Sequence, residues 1–166
     1  MVDFNTDGKL GVKLTETEAT TSLKRFSIGE CVTGNENSKF MYTRAVATVD
    51  QYDVLSLLTD STVTPLTLQN ASANGGAVAF AQTAIAAGSF GWVALQGNKL
   101  RVKCLTACAD SVPLFATTTA GEVDDATGTS GIGYIAGVRT LSTISNATAV
   151  TAICQNAHVT WYGNVA

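Results

Sequence analysis

Short runs of alternating apolar and polar residues, separated by turn-forming residues, are the main pattern along this chain. The run 26–32 (FSIGECV) alternates, the next residues (GNENSK) have the composition of a turn, and 40–49 (FMYTRAVATV) resumes the alternation. Successive side chains of a β-strand point to opposite faces of a sheet, so this pattern predicts two strands joined as a hairpin.

A second hairpin is predicted from 90 to 109, with its turn at Gly97 and Asn98. The stretch before this turn is apolar around Trp92, and after it apolar positions alternate with Arg101 and Lys103. Gly and Asn at the centre of such a pattern are typical of a tight hairpin turn. A Trp between apolar neighbours buries ~150–250 Å², so we expect Trp92 to anchor the core.

Two stretches have patterns that allow both helix and strand. Residues 49–60 (VDQYDVLSLLTD) fit either period, and we expect a strand there. Residues 77–87 are rich in Ala, the best helix former, but Gly88 and Gly91 limit any helix. Between these stretches, 59–64 is predicted as a turn, and the following proline is not expected at a central sheet position because it has no N–H to donate.

The C-terminal part of the chain adds several short runs of β-type composition between Gly, Asn and Asp residues, at 113–119, 132–141, 148–154 and 158–163. Many short strands with regular turns favour a sandwich or barrel over alternating strands and helices. The predicted fold is therefore all-β, a compact β-sandwich or small β-barrel of short antiparallel strands.

The first 24 residues differ from the rest because they are polar and show no clear periodicity. We predict an extended N-terminal arm at 1–24, which another surface orders, followed by a β-rich domain at 25–166 that folds as one unit.

The surface composition is unusual for a chain that is 46% hydrophobic. Only 14% of the residues are charged, against ~25% in an ordinary domain, so Thr, Ser, Asn and Gln supply most of the polar surface. Neutral groups are less costly to desolvate than ions. This composition favours a protein that hides much of its surface in contacts with other subunits, although a Thr-rich β surface is the plainer interpretation.

Net charge and the N-terminal sequence argue against two classes of partner. The net charge is −3 and the pI is near 5.0, whereas nucleic-acid binding needs clustered Lys and Arg. The first residues (MVDFNTDGKLG) lack the basic start and apolar stretch of a signal peptide, and no run approaches the ~20 apolar residues of a membrane span. We expect synthesis in the cytoplasm, with no nucleic acid and no membrane as partner.

Four cysteines, Cys31, Cys104, Cys108 and Cys154, are expected to stay reduced in the cytoplasm. On a single strand, Cys104 and Cys108 would share a face but lie ~13 Å apart, which is too far for a disulfide. All four are predicted to be small buried hydrophobic residues.

Few residues in the sequence suggest a cofactor-binding or catalytic site. Gly131, Gly133 and Ala136 fit the spacing of a dinucleotide-binding turn, but a polar loop precedes them and no acid follows, so they are interpreted as turn residues. His158 is the single histidine and has no acid near it in sequence, so we expect a packed or surface residue rather than a catalytic one.

The densest acid group is Glu122, Asp124 and Asp125, which would suit a hard cation but does not match the twelve-residue calcium pattern. An exposed acidic turn is the preferred interpretation. The glycosylation sequons at Asn70 and Asn146 carry no meaning without export. We therefore predict no catalytic, cofactor or metal site and no enzymatic activity.

The C-terminal region 126–166 contains Arg139 as its one Lys, Arg, Asp or Glu residue. An outward-facing terminal hairpin usually carries more charge, so we expect this region to contribute to the core on one face and to a subunit interface on the other.

The order of these segments resembles the head decoration, or cement, proteins of tailed bacteriophages. The resemblance covers roughly residues 10–155. It begins with Phe26-x-x-Gly29, a polar turn, YTRA and QYDVLSL. It continues with AIAAGSFGWVALQGN, then VKCLTACADSVPLFATTTAGEVDDA, GIGYIAGV and AVTAIC.

The resemblance implies a structural protein of the virion, without a reaction. Such proteins are β-rich and often trimeric, sit on the outer surface of the capsid near three-fold points, and tie neighbouring major capsid protein subunits together. Two other classes stay open: a tail or fibre-associated receptor-binding β module, which should show repeats or a coiled-coil stem, and an enzyme with an unrecognised site.

Overall fold

The computed structural model describes residues 13–20, 24–73, 76–125, 133–144 and 148–160. In chain order the elements are β1 (Cys31–Thr33), β2 (Lys39–Ala45), β3 (Val54–Leu57), β4 (Thr62–Pro65), α1 (Leu68–Ala73), β5 (Val78–Ala81), β6 (Phe90–Cys104), β7 (Leu114–Ala116), β8 (Val123–Asp124), β9 (Tyr134–Thr140) and β10 (Thr148–Thr160). The prediction of an all-β fold is confirmed.

A closed five-stranded barrel forms the first half of the fold. Its strand order is β2-β4-β3-β5-β6, and pairing between β2 and β6 closes it. The β2–β4 pair is parallel, whereas the other pairs in the barrel are antiparallel. β1 pairs with the first part of β2, at Lys39–Met41, whereas β4 pairs with its end, at Arg44 and Ala45.

The second half of the fold is a group of strands in the order β6-β10-β9-β7-β8. β8 returns to β6 through one parallel pair, between Val123 and Cys104. β6 therefore belongs to both halves. Its first part pairs with β2 and β5, and its second part, from Gly97 to Cys104, pairs with β10.

The predicted hairpin at Gly97 and Asn98 is wrong, because β6 runs through these residues without reversing. A tight two-residue hairpin turn of the expected kind needs positive φ at its central residues, and neither residue has it. Gly97 instead lies opposite Cys154, next to a shift in the β6–β10 register. It marks a β-bulge, which is the other common use of glycine within a strand.

Two further expectations about local structure are corrected. The predicted turn at 59–64 is shorter, because β4 begins at Thr62. The proline that was not expected at a central sheet position, Pro65, ends β4 and pairs with Leu55 in the barrel.

The short helix α1 follows β4. Thr67 and Asn70 cap this helix: the Thr67 N–H donates to Asn70 Oδ1 at 2.7 Å, and the Asn70 N–H donates to Thr67 Oγ1 at 3.2 Å.

Both segments with mixed patterns contain a strand, and in 49–60 the expected strand is β3, Val54–Leu57. The Ala-rich segment 77–87 contains β5, in which all four residues are buried. Ala79 and Ala81 pack in one apolar cluster, while Val78 and Phe80 pack in another. Burial on both faces outweighs the helix preference of alanine here.

Trp92 lies in the larger apolar cluster and is 2% exposed, which confirms it as a core residue. Its ring is 5.1 Å from that of Phe26 and 5.3 Å from that of Tyr42, measured between ring centroids. Phe90 stacks on Tyr42 at 6.1 Å. These contacts join Phe26, which precedes β1, to side chains of β2 and β6.

Part of the predicted arm lies on the barrel. Within the described stretch 13–20, the Glu18 N–H donates to Phe90 O at 2.8 Å and the Phe90 N–H donates to Glu18 O at 2.7 Å. Residues 1–12 and 21–23 lie outside the described residues, and the boundary after residue 24 stays a prediction.

Candidate functional site

The residues singled out for chemistry are placed in strands and turns. Gly133 has a φ of +90° and its carbonyl accepts a hydrogen bond from the Ala116 N–H at 2.8 Å. Ala136 lies in β9, paired with His158 in β10. A strand, β9, follows Gly133, where a dinucleotide-binding turn would be followed by a helix. Gly131 lies outside the described residues.

His158 is exposed, and its Nδ1 lies 2.8 Å from the carbonyl oxygen of Asn156. This contact orients the ring towards its own strand. Among the residues that the structure describes, no group of three or more His, Cys, Asp or Glu side chains is placed to hold a metal ion.

The acid group at 122–125 is half-buried rather than an exposed turn, and its carboxylates are engaged within the chain. Asp125 Oδ2 accepts a hydrogen bond from the Ala109 N–H at 2.9 Å, and Asp124 Oδ1 accepts one from the Asp125 N–H at 2.9 Å. Glu122 Oε1 lies 3.4 Å from Lys103 Nζ. These contacts hold the loops beside the end of β6.

Lys103 is the centre of an internal charge cluster. Its Nζ also lies 3.4 Å from Asp53 Oδ1 and 3.9 Å from Asp50 Oδ2. Burial raises the pKa of Asp53, although the Asp50 N–H and Lys103 favour its charged form. Burial acts to lower the pKa of Lys103, but Asp53 and Glu122 outweigh it and the pKa is raised. The cluster joins β6 to two turns and has the character of a structural ion pair.

A second charged cluster joins Glu16, Glu18 and Arg25 to Tyr42 in β2. Tyr42 donates its hydroxyl to Glu18 Oε2 at 2.7 Å, and Arg25 Nε donates to Glu18 Oε1 at 2.8 Å. Arg25 also pairs with Glu16. The hydrogen bond from Tyr42 lowers the pKa of Glu18, burial opposes this, and Arg25 adds to the lowering. Sequence patterns missed this cluster because its members lie on separate segments.

All four cysteines are free thiols in the structure, and, contrary to the expectation, Cys104 and Cys108 do not lie on one strand. Cys104, Cys108 and Cys154 are buried and Cys31 is half-buried. Cys104 ends β6, and the chain then turns at 106–107, where Ala107 has a φ of +68°. The Cys104 thiol donates to the Val102 carbonyl oxygen at 3.8 Å, and the Cys108 thiol donates to the Ala109 carbonyl oxygen at 3.7 Å.

The outer face of β6, β10 and β9 is the best candidate for a functional surface. Thr151 in β10 pairs with Arg101 in β6, and its carbonyl accepts a hydrogen bond from the N–H of Leu141, the residue after β9. Ile153 in β10 pairs with Arg139 in β9. Leu141 is 43% exposed, Thr151 and Ile153 are half-buried, and both arginines are exposed. We call these five residues the outer face.

The part of the outer face that lies between the two arginines carries no charge. Along β10, half-buried Ala149, Thr151 and Ile153 alternate with buried Val150 and Ala152. One side of this strand therefore belongs to the core, as the sequence led us to expect, while the other side presents methyl and hydroxyl groups to solvent. Desolvating these groups costs little compared with desolvating ions.

The guanidinium groups of the two arginines contact uncharged groups. Arg101 donates to Ala149 O at 2.7 Å and lies over the Tyr52 ring, 5.2 Å from its centroid. Arg139 Nε donates to Ser111 Oγ at 3.2 Å. By contrast, Lys99 pairs with Glu36 at 2.9 Å. The outer face thus combines an apolar centre with two cations, a composition that protein interfaces favour.

A bulge in β10 shapes one end of this surface. The β9–β10 register shifts between Cys154 and His158, and Asn156 has a φ of +48°. Gln155 and Asn156 are exposed there. Gly137 lies opposite, with a φ of +80°, and a Cβ at this position would collide with the carbonyl oxygen of Gln155. The bulge projects two neutral amide side chains beside the outer face.

Comparison of the chain with models of protein families, with curated proteins and with solved structures gave no match. In the described part of the chain, no helix has the length and apolar character needed to cross a membrane.

Proposed function

We propose that this chain is a structural decoration protein that binds the outer surface of a tailed-phage head and stabilises its coat lattice. The outer face is the observation that supports this best. It offers an apolar, uncharged centre with Arg101 and Arg139 at its sides. A coat subunit that fits it has apolar side chains flanked by carboxylates, which the two arginines would bind in bidentate geometry.

The protein acts as a homotrimer at three-fold points of the lattice in this proposal. A trimer repeats each modest contact three times, and after one subunit binds, the others meet their sites at a high effective concentration. A protein that binds the assembled lattice and not its free subunits raises the free energy of taking that lattice apart. Light scattering of the free protein should give three times 17.2 kDa.

Binding to undecorated heads tests the proposal directly. The purified protein is mixed with bare heads and pelleted, and the temperature at which the heads release DNA is measured with and without it. We expect co-sedimentation and a higher release temperature. If the protein does not co-sediment, or if the release temperature is unchanged, the decoration function fails and a receptor-binding role becomes the better explanation.

A matched pair of variants tests whether the outer face makes the contact. Thr151→Asp places a carboxylate at the centre of the outer face, where its desolvation opposes binding. Thr64→Asp makes the same change at another half-buried strand position, in β4 of the barrel. We expect Thr151→Asp to lose binding to heads and Thr64→Asp to keep it. Equal binding by both variants would place the contact elsewhere.

A further inference from the structure

Tyr52 has a backbone conformation that aromatic residues rarely adopt. It lies in the turn from Asp50 to Asp53, and of the described residues with a positive φ it is the one with an aromatic side chain, at +73°. A left-handed backbone is strained for a bulky residue, and such strain clusters at functional sites. Arg101 of the outer face lies over the Tyr52 ring, with 5.2 Å between the guanidinium carbon and the ring centroid.

The backbone of Tyr52 is held on both sides. Its N–H donates to Ala81 O at 2.9 Å, and its carbonyl accepts a hydrogen bond from the Lys103 N–H at 2.9 Å. Because Lys103 and Arg101 belong to the same strand, β6, these bonds fix the position of Tyr52 relative to the arginine.

The backbone of Arg101 is held by the side chain of Gln82. The backbone N–H of Arg101 donates to Gln82 Oε1 at 3.0 Å, and Gln82 Nε2 donates to Arg101 O at 3.0 Å. Gln82 follows the last residue of β5, so its amide group replaces the next backbone unit of that strand. Gln51 Nε2 also donates to the Gln82 carbonyl, at 3.1 Å, which joins the turn that carries Tyr52 to the same network.

The guanidinium of Arg101 is therefore held in place before a partner binds. One of its N–H groups donates to Ala149 O at 2.7 Å, and the Tyr52 ring contacts its plane. Within the part of the chain that the structure describes, no carboxylate forms a salt bridge with Arg101. The other N–H groups of the guanidinium can donate to a carboxylate in bidentate geometry.

We propose that Tyr52 is a positioning residue, which holds Arg101 in place to bind a carboxylate of the coat subunit. A long side chain loses freedom when it is immobilised in an interface, and a guanidinium that is already held loses less. The strained backbone of Tyr52 is retained for this placement rather than for stability. This inference rests on the function proposed above, which supplies the partner.

The placement of Arg101 is tested first in the free protein. Tyr52→Phe keeps the aromatic ring, whereas Tyr52→Asn removes it without adding strain, because asparagine tolerates a left-handed backbone. The ring current shifts protons above the ring upfield, so nuclear magnetic resonance of the Arg101 side chain reports the contact. We expect upfield shifts in the unmodified protein and in Tyr52→Phe, and ordinary arginine shifts in Tyr52→Asn. Ordinary shifts in the unmodified protein would overturn the inference.

Binding to bare heads then measures what the placement contributes. We expect Tyr52→Asn to raise the dissociation constant about tenfold, as the loss of a well-placed interface contact does, and Tyr52→Phe to keep the affinity of the unmodified protein. The unfolding temperature of Tyr52→Asn should stay close to that of the unmodified protein, since relief of strain offsets the lost ring contact. A large fall in this temperature together with the loss of binding would indicate a purely structural role and overturn the inference.

Arg101→Lys and Arg44→Lys form a matched pair for the same measurement. Lysine keeps the positive charge but lacks the planar fork that stacks on a ring and binds a carboxylate at two points. Arg44 lies outside the outer face, with its Nε 3.4 Å from Gly88 O. We expect Arg101→Lys to weaken binding about tenfold and Arg44→Lys to leave it unchanged.

The same experiment separates the two proposals. If the unmodified protein does not bind heads, the decoration function fails and the role of Tyr52 fails with it. If the unmodified protein binds, and Tyr52→Asn and Arg101→Lys bind equally well, the decoration function stands and the positioning role of Tyr52 is overturned.

Discussion

Glu18 is a buried carboxylate whose hydrogen bonds depend on its negative charge. It is 7% exposed, and its carboxylate accepts hydrogen bonds from Tyr42 and from Arg25. The bond from Tyr42 joins Glu18 to β2 beside the aromatic group that includes Trp92. A carboxylate held by donors on both oxygens contributes to stability only while it is ionised.

We predict that Glu18→Gln destabilises the protein by about 1.5–3 kcal/mol near neutral pH. The amide oxygen of glutamine would accept from Arg25 without the help of a negative charge, and the Tyr42 hydroxyl would have to accept from the amide N–H₂ group instead of donating to a carboxylate. Since the folded-state pKa of Glu18 is lowered, the contribution is complete above the ordinary glutamate pKa of about 4.3 and is lost as pH falls from there through the folded-state pKa. Urea unfolding at a series of pH values measures this difference.

Glu36→Gln is the matched control for this substitution. Glu36 pairs with Lys99 at 2.9 Å on the exposed surface, where ion pairs contribute about 0–1 kcal/mol. We expect a small effect from Glu36→Gln, and a difference between unmodified protein and Glu18→Gln that shrinks below about pH 4.3. A difference for Glu18→Gln that stays constant with pH would contradict the role of its charge.

The sequence allowed some residue positions to be predicted and not others. Trp92 was expected in the core because its apolar neighbours are adjacent in sequence. The Glu18 and Lys103 clusters had no such signal, since their partners come from distant segments. The turn after Cys104 was missed because the alternation of apolar and polar residues was extended beyond the end of β6.

At the scale of elements, the β9–β10 pair depends on Gly137. Its left-handed backbone and its close approach to the Gln155 carbonyl both exclude a Cβ. We predict that Gly137→Ala lowers the free energy of unfolding by more than Gly29→Ala. Gly29 also has a positive φ, of +85°, but its Cβ would meet the Ser61 hydroxyl oxygen at 3.2 Å rather than the backbone.

Both substitutions include the strain of a left-handed alanine, ~1–2 kcal/mol, so their difference isolates the collision at the bulge. Thermal unfolding followed by circular dichroism measures both variants. Equal losses of stability would mean that β10 rearranges to make room, and that the bulge is not fixed by Gly137.

The extent of β6 and β10 shows where local patterns stop being sufficient. The alternation of apolar and polar residues located the strand residues of both elements. It predicted two strands in place of β6, separated at Gly97, and two in place of β10, separated at its bulge. A glycine within a strand pattern marks either a turn or a bulge, and the partner strand decides between them. For β6 that partner is β10, which comes much later in the chain.

The helix α1 was missed for a different reason. Its cap, formed by Thr67 and Asn70, is a local signal carried by polar residues, and the pattern of apolar positions does not show it.

At the scale of the whole molecule, β6 makes the two halves of the fold one unit. Its first part pairs within the barrel and its second part pairs with β10, so neither half can separate without breaking a shared strand. We predict a single unfolding transition in urea. In a Trp161→Phe background, fluorescence of Trp92 reports on the barrel, and far-UV circular dichroism reports on all strands; the two midpoints should coincide.

A substitution in the second half extends this test. Ile135 lies in β9 and is 1% exposed, so Ile135→Ala should cost about 2–5 kcal/mol. We expect it to lower the urea midpoint of Trp92 fluorescence as much as that of the circular dichroism signal. A fluorescence midpoint that does not move would show that the barrel unfolds independently.

The closed strand order also affects how copies of this protein behave when they are crowded. An open sheet edge exposes unpaired N–H and C=O groups, on which another chain can add a strand and begin aggregation. Here the barrel is closed by β2 and β6, and in the described residues the strand at the outer end of the order, β1, has three residues. So short an edge gives little template for amyloid-like growth. Many copies can therefore be held side by side at high local concentration without strand exchange between neighbours.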